Sequence, residues 1–244
     1  MALPADLRTA EEQALTALRE ALAARSHGRW TVELRFEGLR VLPVALRLLA
    51  SLNGTDPIAE LLFTDAGGAA LARRDAPELA PWLGSLGDRL RRLQPQENAS
   101  GESDPPSEEL HPAVLVLVAP AQADYAEVEQ VCRAHGGAVV ILNGRLEDAA
   151  VGIGSVARER RRGFLSTWEA AYALLPRSGS ALRRAFPGDW ELYRQDPDGF
   201  RLAHRFDTRP DTEAVEEALG DDQQGLNVGA GLGALDRFIE GLRS

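Results

Sequence analysis

Two uninterrupted apolar runs constrain the fold of this chain more than any other feature. "AVLVLVAP" occupies residues 113–120 and "AVVIL" occupies residues 138–142. Runs of this kind, rich in β-branched residues and without polar alternation, are typical of strands that are covered on both faces, as in parallel sheets. A helical pattern with a stop at Gly136 separates the two runs. The segment therefore predicts a parallel strand–helix–strand unit.

The same alternation of strands and helices extends in both directions. A helix to about Ala24 is followed by a strand over "WTVELRF", whose alternation predicts one solvated face. Helices and one short apolar strand then lead to residue 93. After 142 we expect a helix, a short strand over "AYALL" and a short helix over "SGSALRRAF". A hairpin over "WELYRQ" and "FRLAHRF" follows, with its turn at Asp196–Gly199.

This order predicts an α/β fold: a three-layer, Rossmann-like, mostly parallel sheet with helices on both faces and a C-terminal antiparallel hairpin. We expect one domain over 1–244. Residues 94–112 contain almost nothing apolar and predict a flexible loop. A glycine-rich segment at 221–233 precedes a terminal helix.

The composition excludes several kinds of chemistry. All 27 basic residues are arginine, so Schiff-base, pyridoxal-phosphate and Walker-type P-loop chemistry have no lysine to use. A net charge of −10 argues against a general nucleic-acid binder. The single cysteine, Cys132, falls on the inner face of its helix and is expected to be a buried core thiol, and the four histidines are scattered. We therefore expect no pyridoxal phosphate or zinc, and, because the Gly-x-Gly spacing described next is misplaced, no nicotinamide or flavin.

The segment before the arginine-rich helix has the spacing of a dinucleotide-binding fingerprint, Gly152-x-Gly154-x-x-Ala157. The preceding strand ends near Leu142, too early for the first glycine to lie in the turn after it. Two interpretations remain: glycines that permit a tight entry into a helix, or a simple anion site helped by Arg158 or Arg162. The arginines of 158–162 form either a solvated helix face or a positive patch for an acidic partner or anionic lipid headgroups.

One group of polar residues is predicted to meet at a single edge of the sheet. Asp65, Pro120 and Asn143 each follow the C-terminal end of a predicted parallel strand, where open α/β proteins bind ligands. Two roles stay open: caps and an internal arginine–carboxylate lock, or a surface that binds a small anionic ligand or a protein partner. The candidate binding residues are Asp65, Asn143, Arg145, Glu147, Asp148, Arg158 and Arg162.

Three segments carry a resemblance to a known family. "FTDAGGAALARRD" (63–75), "LVLVAP" and "ILNGRLEDAAVGIGSVARERRRGFLSTWEAAYALLP" (141–176) resemble an uncharacterised family of cyanobacterial and plastid proteins with a domain-of-unknown-function label. That family includes the plant Low Photosystem II Accumulation proteins, and the domain also occurs behind a chloroplast adenylate kinase. This chain has Gly144 where the family pattern has proline, and Ser155 where an aromatic residue is expected.

The resemblance implies a role around photosynthesis. We expect a non-enzymatic auxiliary protein that assists photosystem II assembly or accumulation through protein contacts. The alternative is a phosphate- or nucleotide-binding enzyme that uses the edge at the strand ends. The N-terminal residues lack an apolar signal segment, so we expect a cytosolic protein, with peripheral contact to the thylakoid membrane as an open alternative.

Overall fold

The computed structural model describes residues 3–54, 58–93, 112–146 and 155–220, without the side chains of 155–158 and 160. The helices are α1 (Leu7–Ala24), α2 (Val41–Asn53), α3 (Ala66–Asp75), α4 (Leu86–Leu93), α5 (Tyr125–Ala134), α6 (Ser155–Leu165) and α7 (Thr212–Gly220). The strands are β1 (Arg29–Leu34), β2 (Ala59–Phe63), β3 (Leu83–Ser85), β4 (Val114–Val118), β5 (Ala138–Leu142), β6 (Glu169–Arg177), β7 (Ser180–Ala185), β8 (Trp190–Asp196) and β9 (Gly199–Phe206).

The chain divides into two compact units. The terminal unit takes its described residues from Met1–Ala24, Trp30–Arg40 and Glu169–Ser244. The central unit takes its described residues from Arg25–Arg29 and Val41–Trp168. The single-domain prediction over 1–244 stays a prediction.

The central unit contains four parallel strands in the order β3-β2-β4-β5. Every residue of β2, β4 and β5 is buried, as their unbroken apolar sequences predict. On one face, Leu62, Leu115 and Val139 pack in a cluster with apolar residues of α4, α5 and α6. On the other face, α3 comes close enough to Phe63 that a Cβ on Gly68 would lie 3.3 Å from its ring.

The terminal unit has the strand order β1-β6-β7-β8-β9. β1 and β6 run parallel, and the pairs β6–β7, β7–β8 and β8–β9 are antiparallel. α1 lies against β6 and β7. It approaches closely because its buried stripe is mostly alanine: Ala10, Ala14, Ala17 and Ala21, with Leu18 and Leu22. Val215 of α7 packs against Leu182, Trp190 and Leu192 in a separate core.

The predicted α/β class, with parallel strands, helices and a C-terminal antiparallel hairpin, is confirmed. Two local predictions are wrong. "SGSALRRAF" contains strand β7 rather than a helix, because β6 and β8 pair with it on both sides. The polar face of β1 is not solvated: Glu33 is only 2% exposed, because Arg35 and Arg209 bind its carboxylate.

The sequence also missed strand β3. Its three residues lie between a 3-10 turn over Pro77–Trp82 and α4, in the region 82–93 where the sequence pattern predicts a helix. The predicted loop at 94–112, apart from Pro112, and the glycine-rich segment at 221–233 lie outside the described residues. Among the helices that the structure describes, none has the length and apolar character to cross a membrane.

Candidate functional site

The four strands of the central unit end at the same level. Phe63 of β2 is opposite Ser85 of β3 and Val118 of β4, and Val118 is opposite Leu142 of β5. The residues that follow these strands therefore share one edge, as the sequence predicts. We call this edge the strand-end edge; its described residues are 64–65, 86–88, 119–124 and 143–145.

Asp65 is a helix cap at this edge. Its Oδ1 accepts a hydrogen bond of 2.8 Å from the backbone N–H of Gly68, in the first turn of α3. This bond satisfies one of the free N–H groups at the start of a helix. A Cβ on Gly67 would lie 2.9 Å from the same oxygen, so the glycine leaves room for the carboxylate. The side chain is exposed, and part of its hydrogen-bonding capacity is used inside the protein.

Two further carboxylates at the edge, which the sequence analysis missed, also bind nearby groups. The Ser85 hydroxyl donates to Asp88 Oδ2 at 2.8 Å, and the Asp88 N–H donates back to Ser85 Oγ at 3.1 Å. The hydrogen bond from Ser85 lowers the pKa of Asp88, and the nearby charge of Arg91 adds to the effect. Asp124 accepts from the N–H of Ala121 at 2.7 Å. The spacing Ser85-x-x-Asp88 was the available signal, but it required β3 to be recognised.

The turns after β4 and β5 both contain a non-glycine residue in the left-handed region. Ala119 has φ 49° and Asn143 has φ 53°. Two hydrogen bonds join these turns: the Ala119 N–H donates to Leu142 O at 2.8 Å, and the Arg145 N–H donates to Pro120 O at 2.7 Å. Asparagine tolerates this conformation, whereas alanine is strained in it. The edge is therefore held in a defined shape at its β4–β5 end.

Gly144 fits closely between these two turns. It is buried, and a Cβ there would overlap the Ile141 side chain and lie 3.3 Å from Pro120 Cγ. The glycine at this position thus fits a packed turn.

Arg145 is exposed at the end of this turn. Its proposed carboxylate partners, Glu147 and Asp148, lie outside the described residues, so the choice between an internal lock and a binding surface stays open. α6 begins at Ser155, the side chain of Arg158 is not among those described, and Arg162 is exposed. The structure thus brings Asp65, Asn143 and Arg145 to one edge.

A second polar centre, in the terminal unit, was not predicted from the sequence. Arg183 is 2% exposed; its Nε donates to Gln13 Oε1 at 3.2 Å, and its Nη1 donates to Glu191 Oε2 at 2.7 Å. Tyr172 donates to the same Gln13 oxygen at 3.2 Å, and Tyr193 donates to Glu191 at 2.9 Å. The sequence analysis did not find this centre because it predicts a helix over the residues of β7, which contains Arg183.

The pKa values in this centre follow from burial and charge. Burial raises the pKa of Tyr172 and of Tyr193 to about 12, so both hydroxyls stay protonated and donate. Burial alone would raise the pKa of Glu191, but hydrogen bonds from Tyr193, Arg183 and Arg205 outweigh it and lower that pKa. The result is a buried ion pair with a defined donor and acceptor at each contact, which is the arrangement of a structural network.

Burial shifts the pKa values of two side chains of the central unit. Cys132 is buried, which confirms the predicted core thiol, and burial raises its pKa to about 12. A thiol with such a pKa is a poor nucleophile. Burial also raises the pKa of Glu60, and the nearby charges of Arg89 and Arg92 oppose that rise. Within the described ranges, no three His, Cys, Asp or Glu side chains are grouped so as to hold a metal ion.

Comparison with known protein families gives one match over most of the chain. Residues 4–217 match the family described as "Domain of unknown function (DUF1995)". No curated protein matches the chain.

Proposed function

Because this chain belongs to the DUF1995 family, we propose that it is a non-enzymatic auxiliary protein of photosynthesis that acts through protein contacts at the strand-end edge. The assembly or accumulation of photosystem II is the process that we propose it assists. The support for photosynthesis is the resemblance of residues 141–176 to proteins of that role. The support for a contact surface comes from the strand-end edge itself.

The main observation behind this proposal is that three carboxylates at the strand-end edge accept hydrogen bonds from the protein itself. Asp65, Asp88 and Asp124 each accept a hydrogen bond from a backbone N–H or a serine hydroxyl of the protein. A general base has to be available to the proton that it removes from a substrate. Carboxylates that fix helix starts and turns serve to hold a surface in shape, which favours recognition over acid–base catalysis.

The rest of the edge offers groups that suit a protein partner. Ala119 and Arg145 are exposed, and Asn143 is half-buried. The hydrogen bonds between the two turns hold the backbone N–H groups of Ala119 and Arg145. A surface that is already ordered loses little conformational entropy on binding. Arg145 is the side chain we expect to contribute most, because arginine is enriched among residues that dominate protein interfaces.

The proposal is tested by complementation in a photosynthetic host that lacks the gene. We expect wild-type protein to restore photosystem II accumulation per chlorophyll, and Arg145→Ala to restore it only partly while remaining folded. Arg74→Ala is the matched control, because Arg74 is an exposed arginine at the other end of α3 in the same unit. If loss of the gene leaves photosystem II accumulation unchanged, the proposed process is wrong. If Arg145→Ala and Arg74→Ala restore accumulation equally, the strand-end edge is not the contact surface.

A phosphate- or nucleotide-binding enzyme is the second candidate. Two observations support it. The four parallel strands of the central unit end at one edge, where open α/β proteins bind ligands, and Arg145 is exposed at that edge. Calorimetric titration of the purified protein with nucleotides and sugar phosphates separates the candidates. Micromolar binding that Arg145→Ala abolishes would favour the enzyme.

A further inference from the structure

Three helices of the central unit form one face. Leu86 of α4, Val128 of α5 and Phe164 of α6 belong to the same buried cluster, on the side of the sheet that carries Leu62 and Leu115. The ring of Phe164 also meets that of Tyr125 edge-on, with 5.6 Å between centroids. We call the outer surface of α4, α5 and α6 the three-helix face.

The three-helix face is positive in a negative protein. α4 contains Arg89, Arg91 and Arg92 against Asp88, a net charge of +2. α5 has a net charge of −1, and α6 has four arginines against Glu159, a net charge of +3. By sequence the three helices thus carry +4 in a chain of −10; this count includes Arg89, whose side chain is 16% exposed and lies 3.5 Å from the Glu60 carboxylate, and Arg158 and Arg160, whose side chains are outside those described. At physiological ionic strength charges are screened beyond about 8 Å, so an approaching surface responds to this local charge rather than to the total.

The described arginines of this face are available to solvent at several points. The side chain of Arg91 is 74% exposed, that of Arg133 is 57% exposed, and Arg92 and Arg162 are also exposed. Arg161 lies over the Tyr125 ring, with its guanidinium carbon 4.6 Å from the centroid. Arg91 shares its charge with Asp88, and Arg133 shares its charge with Glu129. The Arg91 pair lies at the surface, where ion pairs are weak, whereas Glu129 is buried and holds Arg133 by its carboxylate.

We propose that the three-helix face binds peripherally to an anionic membrane surface. The cations are distributed over three neighbouring helices instead of converging on one point, which suits a broad layer of headgroups better than a single acidic peptide. Headgroups attract basic residues without requiring a fixed pairing geometry. Leu93, which follows Arg91 and Arg92 at the end of α4, is 38% exposed and gives the face an apolar side chain to place among the headgroups.

The test is cosedimentation of the purified full-length protein with vesicles. We expect the protein to bind vesicles of phosphatidylcholine mixed with phosphatidylglycerol, and not vesicles of phosphatidylcholine alone. Binding should fall steeply as salt is added, because it is electrostatic. Equal binding to both vesicles, or no binding to either, would overturn the proposal. So would capture by immobilised polyglutamate without capture by anionic vesicles, which would indicate an acidic protein partner.

A charge-matched pair of variants locates the surface. The triple variant R91E/R92E/R162E reverses the charge of three exposed arginines of the three-helix face, and we expect it to reduce the bound fraction at least tenfold. The control R8E/R74E/R201E makes the same change in charge at side chains that are 89%, 72% and 64% exposed on other elements. It should bind as wild type does. An equal loss in both variants would refute the assignment, and circular dichroism establishes that each is folded.

If the glutamate variant fails to fold, R91Q/R92Q/R162Q gives a second readout. This variant removes charge without reversing it, and we expect an intermediate loss of vesicle binding and a weaker dependence on salt. Wild-type binding would contradict the proposal. The result is independent of the photosystem II test, since that test concerns Arg145 at the strand-end edge.

Discussion

Arg183 illustrates what single side chains contribute to this protein. Its side chain is 3% exposed, and its guanidinium is held by Gln13 of α1 and Glu191 of β8. It therefore connects a helix with two strands of the terminal unit. A buried charge of this kind is tolerated only where its partners are present, so the surrounding residues depend on one another.

We predict that Arg183→Met lowers the free energy of unfolding by about 3–5 kcal/mol, because half-buried Glu191 loses its buried cationic partner and keeps only Tyr193 and the exposed Arg205. Arg205→Met is the matched control. Arg205 contacts the same carboxylate at 3.3 Å, but it is 60% exposed. Its loss should cost less than about 1 kcal/mol. Urea denaturation measures both, and equal losses would show that the Arg183 pair does not stabilise the terminal unit.

The same pair predicts a dependence on pH. Hydrogen bonds hold the pKa of Glu191 below its ordinary value of 4.5 in the folded protein. The ionised carboxylate therefore stabilises the fold above pH 4.5, and this contribution is lost as the pH falls through the lower, folded-state pKa. The stability difference between wild type and Glu191→Gln should shrink below pH 4.5. Denaturation curves at neutral and acidic pH test this, and a constant difference would contradict it.

At the scale of elements, the start of α3 combines a structural role with a candidate binding role. Asp65 accepts from the Gly68 N–H, so Asp65→Ala should lower the free energy of unfolding by about 1 kcal/mol. Asp65→Ser keeps an N-cap oxygen and should retain most of that stability. Thermal and urea denaturation compare the two. A similar loss in both variants would mean that the cap is not the source of the effect, whereas a partner-binding loss in the stable serine variant would assign Asp65 to the surface.

The turn after β4 contains strain that a single substitution should relieve. Ala119 has φ 49°, which glycine adopts without steric cost. Ala119→Gly should therefore stabilise the protein by about 0.5–1 kcal/mol, even though glycine makes the unfolded chain more flexible. Ala70→Gly, at an exposed position inside α3, should destabilise it by about 1 kcal/mol. The same substitution, alanine to glycine, is thus expected to raise the free energy of unfolding at position 119 and to lower it at position 70. If both variants are less stable than the wild type, Ala119 is not strained.

Elements with local signals were predictable, and those set by distant partners were not. The apolar runs of β4 and β5 indicate burial on both faces by composition alone, and the structure confirms it. β7 contains two adjacent arginines, and its strand conformation depends on pairing with β6 and β8. Glu33 looked solvated because its partner Arg209 is distant in sequence. At the candidate site, Asp65 and Asn143 followed from strand ends, while the Ser85–Asp88 pair depended on a three-residue strand with a weak pattern.

At the scale of the whole molecule, sequence order and structural units do not coincide. The terminal unit draws on both ends of the chain, and the central unit is mostly continuous from Val41 to Trp168. The two proposed surfaces belong to the central unit: the strand-end edge and the three-helix face. The family match over 4–217 includes the residues of both. We therefore assign the proposed contacts to the central unit and a mainly structural polar network to the terminal unit.

The central claim is that the strand-end edge meets a photosystem II component, and site-specific photocrosslinking tests it most directly. A photoreactive residue replaces Arg145 in a photosynthetic host, and adducts formed on illumination are identified by mass spectrometry. We predict an adduct with a photosystem II subunit or assembly intermediate from position 145, and none from position 74 at the other end of α3. The absence of such an adduct from position 145, or the same adducts from both positions, would contradict the account.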